Sequence, residues 1–107
     1  MNGMKFDHGK ARWDLLPVEE LEEVVEVLTH GANKYDDDNW KYVERPLERY
    51  YAAAMRHLIA WKKGQSLDKE TNKSPLAHAI CDLLFLMWFD SQIPQLAAAA
   101  CQKGARK

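Results

Sequence analysis

The hydrophobic residues of the chain recur at helical spacing in three long segments. These segments cover residues 17–30, 47–63 and 74–90, and apolar side chains recur in them three and four positions apart. Such spacing places the apolar side chains of each segment along one side of an α-helix. The pattern therefore predicts an all-α fold, a small helical bundle with three main helices.

The third segment is apolar on nearly every side and is predicted to be the buried centre of the fold. Ser74 suits an N-terminal cap, and Pro75 stands where a missing N–H costs nothing. At about seventeen residues the segment is short for a membrane span. Its first half carries His78 and Asp82, which lie four residues apart on one helical face. Because an unpartnered buried carboxylate is costly, Asp82 should face a cation, a metal ion or the imidazole of His78.

Glycine and proline mark the expected ends of these helices. Gly31 and Gly64 should end the first two, and Pro94 should interrupt the third before a short C-terminal helix over residues 95–102. Residues 1–12 are expected to form an extended arm and residues 103–107 a frayed tail, so that residues 1–107 make one domain. The apolar side chains that directly follow the arm are expected to pack it against the helices: Trp13, Leu15 and Leu16.

The composition limits the class of protein. With 47% hydrophobic residues and a net charge of −1, the chain is unlike a disordered protein or a general binder of nucleic-acid polymers. No signal peptide is visible, and no membrane partner is predicted. Cys81 and Cys101 suit reduced thiols better than a disulfide framework, so a cytoplasmic location is expected.

The first helix has an acidic face opposite its apolar stripe. That face combines four glutamates with one histidine and no lysine: Glu19, Glu22, Glu23, Glu26 and His30. Like charges at this spacing repel by a few tenths of a kcal/mol per pair, and a divalent cation would relieve the repulsion. Mg²⁺ takes oxygen ligands from one or two carboxylates together with substrate phosphates. The plain alternative is a solvated acidic face.

Other residues suit a nucleotide. The guanidinium groups of Arg49 and Arg56 match phosphate oxygens, although they would serve equally well as ion-pair partners of the first-helix glutamates. Lys34 suits neutralisation of a phosphate, and the rings of Tyr35 and Trp40 suit stacking on a base. Asn39 offers an amide that can read the edge of the base. The alternative for this stretch is an ordinary turn anchored by Trp40.

Four separated motifs together resemble the phage and bacterial dATP/dGTP diphosphohydrolases, relatives of the MazG-like all-α nucleotide pyrophosphohydrolases. The resemblance covers roughly residues 9–90 and implies an all-α fold, Mg²⁺ or Mn²⁺, and assembly as a dimer or tetramer. It also implies hydrolysis of purine deoxynucleoside triphosphates to monophosphate and pyrophosphate in a bacterial or phage-infected cytoplasm. The motifs lie at residues 10–17, at 31–35 with 39–40, at 56–58 and at 76–79.

The resemblance also implies metal ligands. The MazG-like motif has two adjacent glutamates and a third acid three residues after the second, which corresponds to Glu19, Glu20 and Glu23. Helical geometry places Glu20 toward the flank of the acidic face and favours Glu19 and Glu23 as ligands, with Glu22 or Glu26 as a further candidate. A later glutamate and aspartate of the family pattern are absent from the expected place, and His78 and Asp82 are the nearest substitutes.

These observations predict a site with assigned roles. Glu23 is expected to orient or deprotonate a water, with His57 or His78 orienting groups or donating to phosphate. The metal ligands would be Glu19, Glu20, Glu23 and Asp82, and the catalytic residues Glu23 and His78. The substrate would contact Lys34, Tyr35, Asn39, Trp40, Arg49, Arg56 and His57.

Three alternatives remain open at this point. The same pocket suits a protein that sequesters a nucleotide or nucleotide second messenger without cleaving it. A structural oligomer would use Arg49 and Arg56 only to neutralise the glutamates. A histidine–aspartate phosphohydrolase would use His57, His78 and Asp82, although the chain has no adjacent His-Asp pair.

Overall fold

The chain folds as an all-α protein. The structure, a computed structural model, describes the backbone of residues 2–102 and the side chains of residues 2–93. The three α-helices are α1 (Val18–Lys34), α2 (Pro46–Lys62) and α3 (Pro75–Gln102). Short 3₁₀ turns lie at Trp13–Leu15 and Asn39–Tyr42, and the described residues contain no β-strand. The predicted fold class is confirmed, whereas the predicted frayed tail lies outside the described residues.

Helix α3 is the centre of the fold, because both α1 and α2 pack mainly on it. Val24 and Val27 of α1 meet Ala77 and Cys81 of α3 in the main core cluster. The small side chains on α3 allow the two helices to approach closely. The partly buried side chains of Leu28 and Phe85 extend this cluster.

The start of α3 is fixed by a cap and by a contact from α1. The N–H of Leu76 donates to Oγ of Ser74 at 3.0 Å, and Pro75 follows the cap, as predicted. The N–H of Ser74 itself donates to Oε1 of Glu23 at 2.7 Å. The N-terminus of α3 is therefore tied directly to the acidic face of α1.

The two glycines behave differently. Gly64 has a φ of 100° and donates its N–H to the carbonyl of Trp61, while Gln65 donates to Ala60, which is a Schellman ending. The prediction for Gly31 was wrong, since α1 continues through it to Lys34. Tyr35 is the residue that caps the C-terminus of α1, and its N–H donates to the carbonyl of Gly31 at 3.0 Å. A glycine inside a helix costs about 1 kcal/mol of stability relative to alanine. The helix can continue despite this cost.

Pro94 does not interrupt α3. The helix runs through this residue to Gln102, so the segment over 95–102 continues α3 and is not a separate short helix. A proline inside a helix removes one backbone hydrogen bond and favours a kink, but the helix can continue beyond it. The alanine-rich sequence that follows favours a helix.

The N-terminal arm is not held on the body in the predicted way. Trp13 is 78% exposed and Leu15 is 69% exposed. The arm instead carries a local ion pair, in which Nη2 of Arg12 lies 2.7 Å from Oδ2 of Asp14. Three apolar residues in a short turn were therefore not sufficient to bury the arm against the helices.

One side of α3 lies open to solvent, so the prediction of a helix buried on every side holds for only part of its circumference. This outer face consists of four apolar side chains that are between 42% and 68% exposed: Ile80, Leu83, Leu84 and Met87. The radius of gyration is 18.4 Å, compared with about 13 Å for a compact domain of this length. The segment Pro75–Ile93 also has the length and hydropathy of a membrane-crossing helix, a property that core helices of soluble proteins share.

Candidate functional site

The acidic face of α1 lines an open concavity of about 430 Å³. Among the described residues that line it, Lys73 is the one cation, and its Nζ lies 2.8 Å from Oε1 of Glu26. The hydrogen bond to Glu26 raises the pKa of Lys73. The other lining residues are Glu19, Glu20, Glu22, Glu23 and Asn72. The concavity is therefore strongly acidic and only partly neutralised.

Glu23 has a defined position at the border of this concavity. Its Oε1 accepts the Ser74 N–H, which places its carboxylate between α1 and the N-terminus of α3. Within the part of the chain that is described, Oε2 of Glu23 has no hydrogen-bond donor. One oxygen thus serves the fold, and the other remains able to accept a proton or contact a cation.

The predicted metal ligands do not all meet. Glu19, Glu20 and Glu23 line the same concavity, whereas Asp82 is not among its lining residues. Between residues 2 and 93, no three His, Cys, Asp or Glu side chains converge closely enough to form a complete metal site. Any ion bound here would therefore need further ligands, such as water or phosphate oxygens.

A second polar group, which we call the histidine cluster, lies between α2, α3 and the connecting loop over residues 63–74. It consists of His57, Asp68, Thr71, His78 and Asp82. The rings of His57 and His78 stack with their centroids 4.7 Å apart at an angle of 28°. Nε2 of His57 lies 3.9 Å from Oδ2 of Asp82.

Asp82 is the buried acid of the histidine cluster. It is 7% exposed, and its Oδ2 has no hydrogen-bond partner among the described residues. Burial raises its pKa to about 7, and the positive charge of Arg56 opposes this change. The imidazole that faces Asp82 is His57 of α2 and not His78, which was one of three alternative partners expected for this acid. At four residues' separation within one helix, His78 shares a face with Asp82 but points to the connecting loop.

His57 is also buried enough to resist protonation. Burial lowers its pKa, and His78 and Arg56 lower it further, while Asp68 acts in the opposite direction. His57 is therefore mainly neutral at neutral pH. A neutral imidazole can donate or accept a hydrogen bond, but it does not supply a fixed positive charge to Asp82.

His78 is held by two residues of the connecting loop that had no assigned role in the predicted site. Its Nε2 lies 2.7 Å from Oγ1 of Thr71 and 3.7 Å from Oδ2 of Asp68. The same Asp68 oxygen accepts the N–H groups of Glu70 and Thr71 at 2.9 and 3.1 Å. The spacing of Asp68 and Thr71 is a signal for such a turn, because aspartate often bonds to backbone N–H groups two and three residues ahead.

The pKa of Asp68 reflects this arrangement. Burial favours the protonated acid, but the N–H groups of Thr71 and Glu70 and the two cluster imidazoles favour the carboxylate. Together these contacts lower the pKa below its ordinary value. Asp68 is therefore ionised at neutral pH and acts only as a hydrogen-bond acceptor.

The predicted phosphate-binding lysine is engaged with the connecting loop. Nζ of Lys34 lies 2.7 Å from Oε2 of Glu70, and this hydrogen bond raises the pKa of Lys34. Nε2 of His30 lies 3.8 Å from the same Glu70 oxygen. Two of the predicted base contacts, Tyr35 and Asn39, are exposed nearby. The lysine therefore stays accessible, but a phosphate would compete with Glu70 for it.

Trp40 is partly buried and packs against aromatic side chains of α3. Its ring stacks on Phe85 with the centroids 4.5 Å apart, and it meets Trp88 and Phe89 edge to face. The hydroxyl of Tyr50 donates to the Trp40 carbonyl at 3.0 Å. This geometry supports the alternative in which Trp40 anchors the turn, since its ring is already used by protein contacts.

The two predicted arginines lie on α2, away from the glutamates of α1. Arg49 donates from Nη1 to the carbonyl of Glu44 at 3.3 Å. Arg56 lines a separate shallow concavity of about 370 Å³ that also includes Lys63. Among residues 2–93, neither arginine forms an ion pair with an α1 glutamate. The structural ion pairs considered as an alternative are therefore not seen in the described chain.

Comparison with known proteins places this geometry in context. The sequence matches the protein family described as "dATP/dGTP diphosphohydrolase, N-terminal" over residues 1–99. A protein of Salmonella phage PMBT28 named "dATP/dGTP diphosphohydrolase" is 37% identical over 94 residues, which are 88% of this chain and 32% of that protein. The chain thus spans about a third of the relative's length. No solved structure matches it. By its match over nearly its full length, the chain belongs to the dATP/dGTP diphosphohydrolase N-terminal family.

Proposed function

We propose that this protein hydrolyses purine deoxynucleoside triphosphates to monophosphate and pyrophosphate with Mg²⁺ or Mn²⁺. The observation that carries the proposal is the acidic concavity, in which five α1 glutamates face one lysine. The family relative is named for diphosphohydrolysis of dATP and dGTP. The proposal extends that named activity to this chain and places it in the bacterial or phage-infected cytoplasm.

One or two of the candidate carboxylates in the concavity would hold the ion: Glu19, Glu20 and Glu23. They fit Mg²⁺ because this ion commonly takes one or two carboxylates and completes its shell with water and substrate phosphates. When bound, the ion would offset phosphate charge and lower the pKa of a bound water. Asp82 remains a candidate ligand only if the helices shift, since it lies in the histidine cluster.

Glu23 and residues outside the concavity would carry the remaining steps. The second oxygen of Glu23 would accept the proton of the attacking water, which adds to the α-phosphorus while the bond to the pyrophosphate oxygen breaks. Lys34, Arg49 and Arg56 would offset negative charge on the phosphates and the leaving group. Tyr35 and Asn39 are the exposed candidates for contact with the base. His57 would donate a hydrogen bond to phosphate or orient a neighbouring group, and His78 would orient a neighbouring group.

The test is incubation of the chain with each deoxynucleoside and ribonucleoside triphosphate, with and without Mg²⁺, followed by chromatography of the products. We expect deoxynucleoside monophosphate and pyrophosphate from dATP or dGTP, formed only with the metal. Release of inorganic phosphate with a diphosphate product would contradict the proposed bond cleavage.

A second candidate is a nucleotide-binding protein that does not hydrolyse its ligand. It is favoured by the finding that, among residues 2–93, no three metal-ligating side chains converge on one point. In that case, equilibrium dialysis would recover intact dATP or dGTP bound in stoichiometric amounts. The chromatography described above would then show no product from folded protein.

We also propose that the chain forms a homo-oligomer through the outer face of α3. Its four apolar side chains carry no charge and follow the spacing of a helix-packing seam. Leu83→Lys should reduce the mass measured by light scattering to that of a monomer. Val18→Lys, at an apolar position on α1 that is 66% exposed, is the matched control. A monomeric wild-type chain would contradict this proposal.

A further inference from the structure

The hydroxyl of Thr71 has a complete set of hydrogen-bond partners. Its Oγ1 lies 2.7 Å from Nε2 of His78 and 3.5 Å from Oδ2 of Asp68. It also accepts the N–H of Lys73 at 3.3 Å. A hydroxyl supplies one proton and accepts two hydrogen bonds, so these three contacts use its full capacity.

The direction of each contact follows from what the partners can do. The backbone N–H of Lys73 is a donor, so Oγ1 accepts there. Asp68 is a carboxylate and can only accept, so the 3.5 Å contact between Oγ1 and Oδ2 is a hydrogen bond when the Thr71 hydroxyl proton points to Oδ2. The remaining lone pair of Oγ1 then accepts a hydrogen bond from the Nε2–H group of His78.

The position of Asp68 supports the same direction independently. Its Oδ2 lies 3.7 Å from Nε2 of His78. A lone pair on this nitrogen would face a negative oxygen, whereas an N–H would be attracted to it. Both contacts therefore favour a proton on Nε2.

We infer that Asp68 and Thr71 hold the neutral form of His78 as the tautomer protonated on Nε2, so that Nδ1 carries the lone pair. Asp68 and Thr71 are positioning residues in this arrangement, because they act through the His78 ring. The same contacts fix the ring plane beside His57, on which it stacks. As far as this arrangement serves catalysis, the inference rests on the proposed function, in which His78 orients a neighbouring group. The lone pair on Nδ1 allows His78 to accept a hydrogen bond there.

The test is two-bond ¹H–¹⁵N correlation NMR on the ¹⁵N-labelled full chain without nucleotide. The spectra are recorded at about pH 8.5, well above the ordinary imidazole pKa of about 6.5. The spectrum of His78→Gln assigns the signals of His78. We expect the pattern of an Nε2–H ring, with a ring proton that exchanges slowly with water. An Nδ1–H pattern in the wild-type chain would overturn the inference.

Two variants of Thr71 separate its hydroxyl from its shape. Thr71→Ser keeps the hydroxyl and should keep both the tautomer signals and the slowly exchanging proton. Thr71→Val keeps the branched shape, and it should lose the slow proton and mix the tautomers. A Thr71→Val spectrum identical to that of the wild type would overturn the role of Thr71. If Thr71→Val does not fold, the wild-type and Thr71→Ser spectra still decide the tautomer.

Kinetics with dATP and dGTP then test the positioning role. We expect Thr71→Val to lower kcat on the order of 10-fold with little change in KM, and Thr71→Ser to restore kcat. Equal kcat in both variants would remove the positioning role in catalysis. A wild-type chain that hydrolyses nothing would refute the proposed function, whereas the NMR result would stand on its own.

Discussion

Oδ2 of Asp82 lies 3.9 Å from Nε2 of His57 and accepts no hydrogen bond from the described residues. The acid is buried on α3, and the imidazole that faces it belongs to α2. Neither group carries a full charge at neutral pH, because burial raises the pKa of Asp82 to about 7 and lowers that of His57. The pair therefore joins two helices without a strong charge–charge attraction.

This relationship predicts that Asp82→Asn stabilises the metal-free protein at alkaline pH. The folded pKa of about 7 lies above the ordinary value of 3.8, so wild-type stability is lost as pH rises through this range. The variant has no acid to ionise. Its advantage in unfolding free energy should grow on the order of 2 kcal/mol between about pH 5 and pH 8.

Urea unfolding of both proteins at each pH, with chelator present, measures this difference. Asp90→Asn, at an exposed position on the same helix, is the matched control and should follow the wild type. The lowered pKa of His57 has the opposite effect on stability. The unfolding free energy falls as pH decreases below about 6.5, because the unfolded chain then binds a proton on His57 more readily than the folded protein does. Comparison at equal pH cancels that effect. Parallel curves for wild type and Asp82→Asn would contradict the prediction.

Glu23→Gln should abolish hydrolysis while preserving the fold. The amide oxygen can still accept the Ser74 N–H, so the tie between α1 and α3 remains. The loss of the carboxylate removes the proposed base and a metal ligand, and kcat for dGTP should fall by about 100-fold or more. Glu48→Gln, at an exposed position on α2, should retain normal turnover. Unchanged turnover in Glu23→Gln would remove Glu23 from the mechanism.

Trp40→Ala should act mainly on stability. Because its ring stacks on Phe85 and is partly buried, its loss should lower the unfolding free energy by about 2–4 kcal/mol. Tyr42→Ala is the matched control, since Tyr42 lies in the same turn and is 82% exposed. Thermal unfolding and KM are measured on both variants. Unchanged stability with a raised KM would instead support contact between Trp40 and the base.

The helices themselves were predictable because their signals are local. Apolar spacing, the Ser74 cap and the Gly64 ending each depend on residues within a few positions of one another. The partner of Asp82 was not predictable in this way, because it depends on how α2 crosses α3. The open outer face of α3 has the same origin, since the sequence shows that Leu83 is apolar but not which side of the helix the neighbours cover.

The site was predicted in part for the same reason. Glu19, Glu20 and Glu23 line one concavity because they belong to one helix. Thr71 and Asp68 reach His78 through a loop whose path depends on several hydrogen bonds across the chain. The pairing of Lys34 with Glu70 was not predictable from local sequence for the same reason, because the two residues are 36 positions apart.

The central claim is that water attacks the α-phosphorus of a purine deoxynucleoside triphosphate at the acidic concavity. Its most direct test is hydrolysis of dGTP and dATP in ¹⁸O-labelled water with Mg²⁺, followed by mass spectrometry of both products. The proposed mechanism predicts one ¹⁸O atom in the deoxynucleoside monophosphate and none in the pyrophosphate. Label in pyrophosphate, or intact nucleotide after incubation with folded protein, would contradict it.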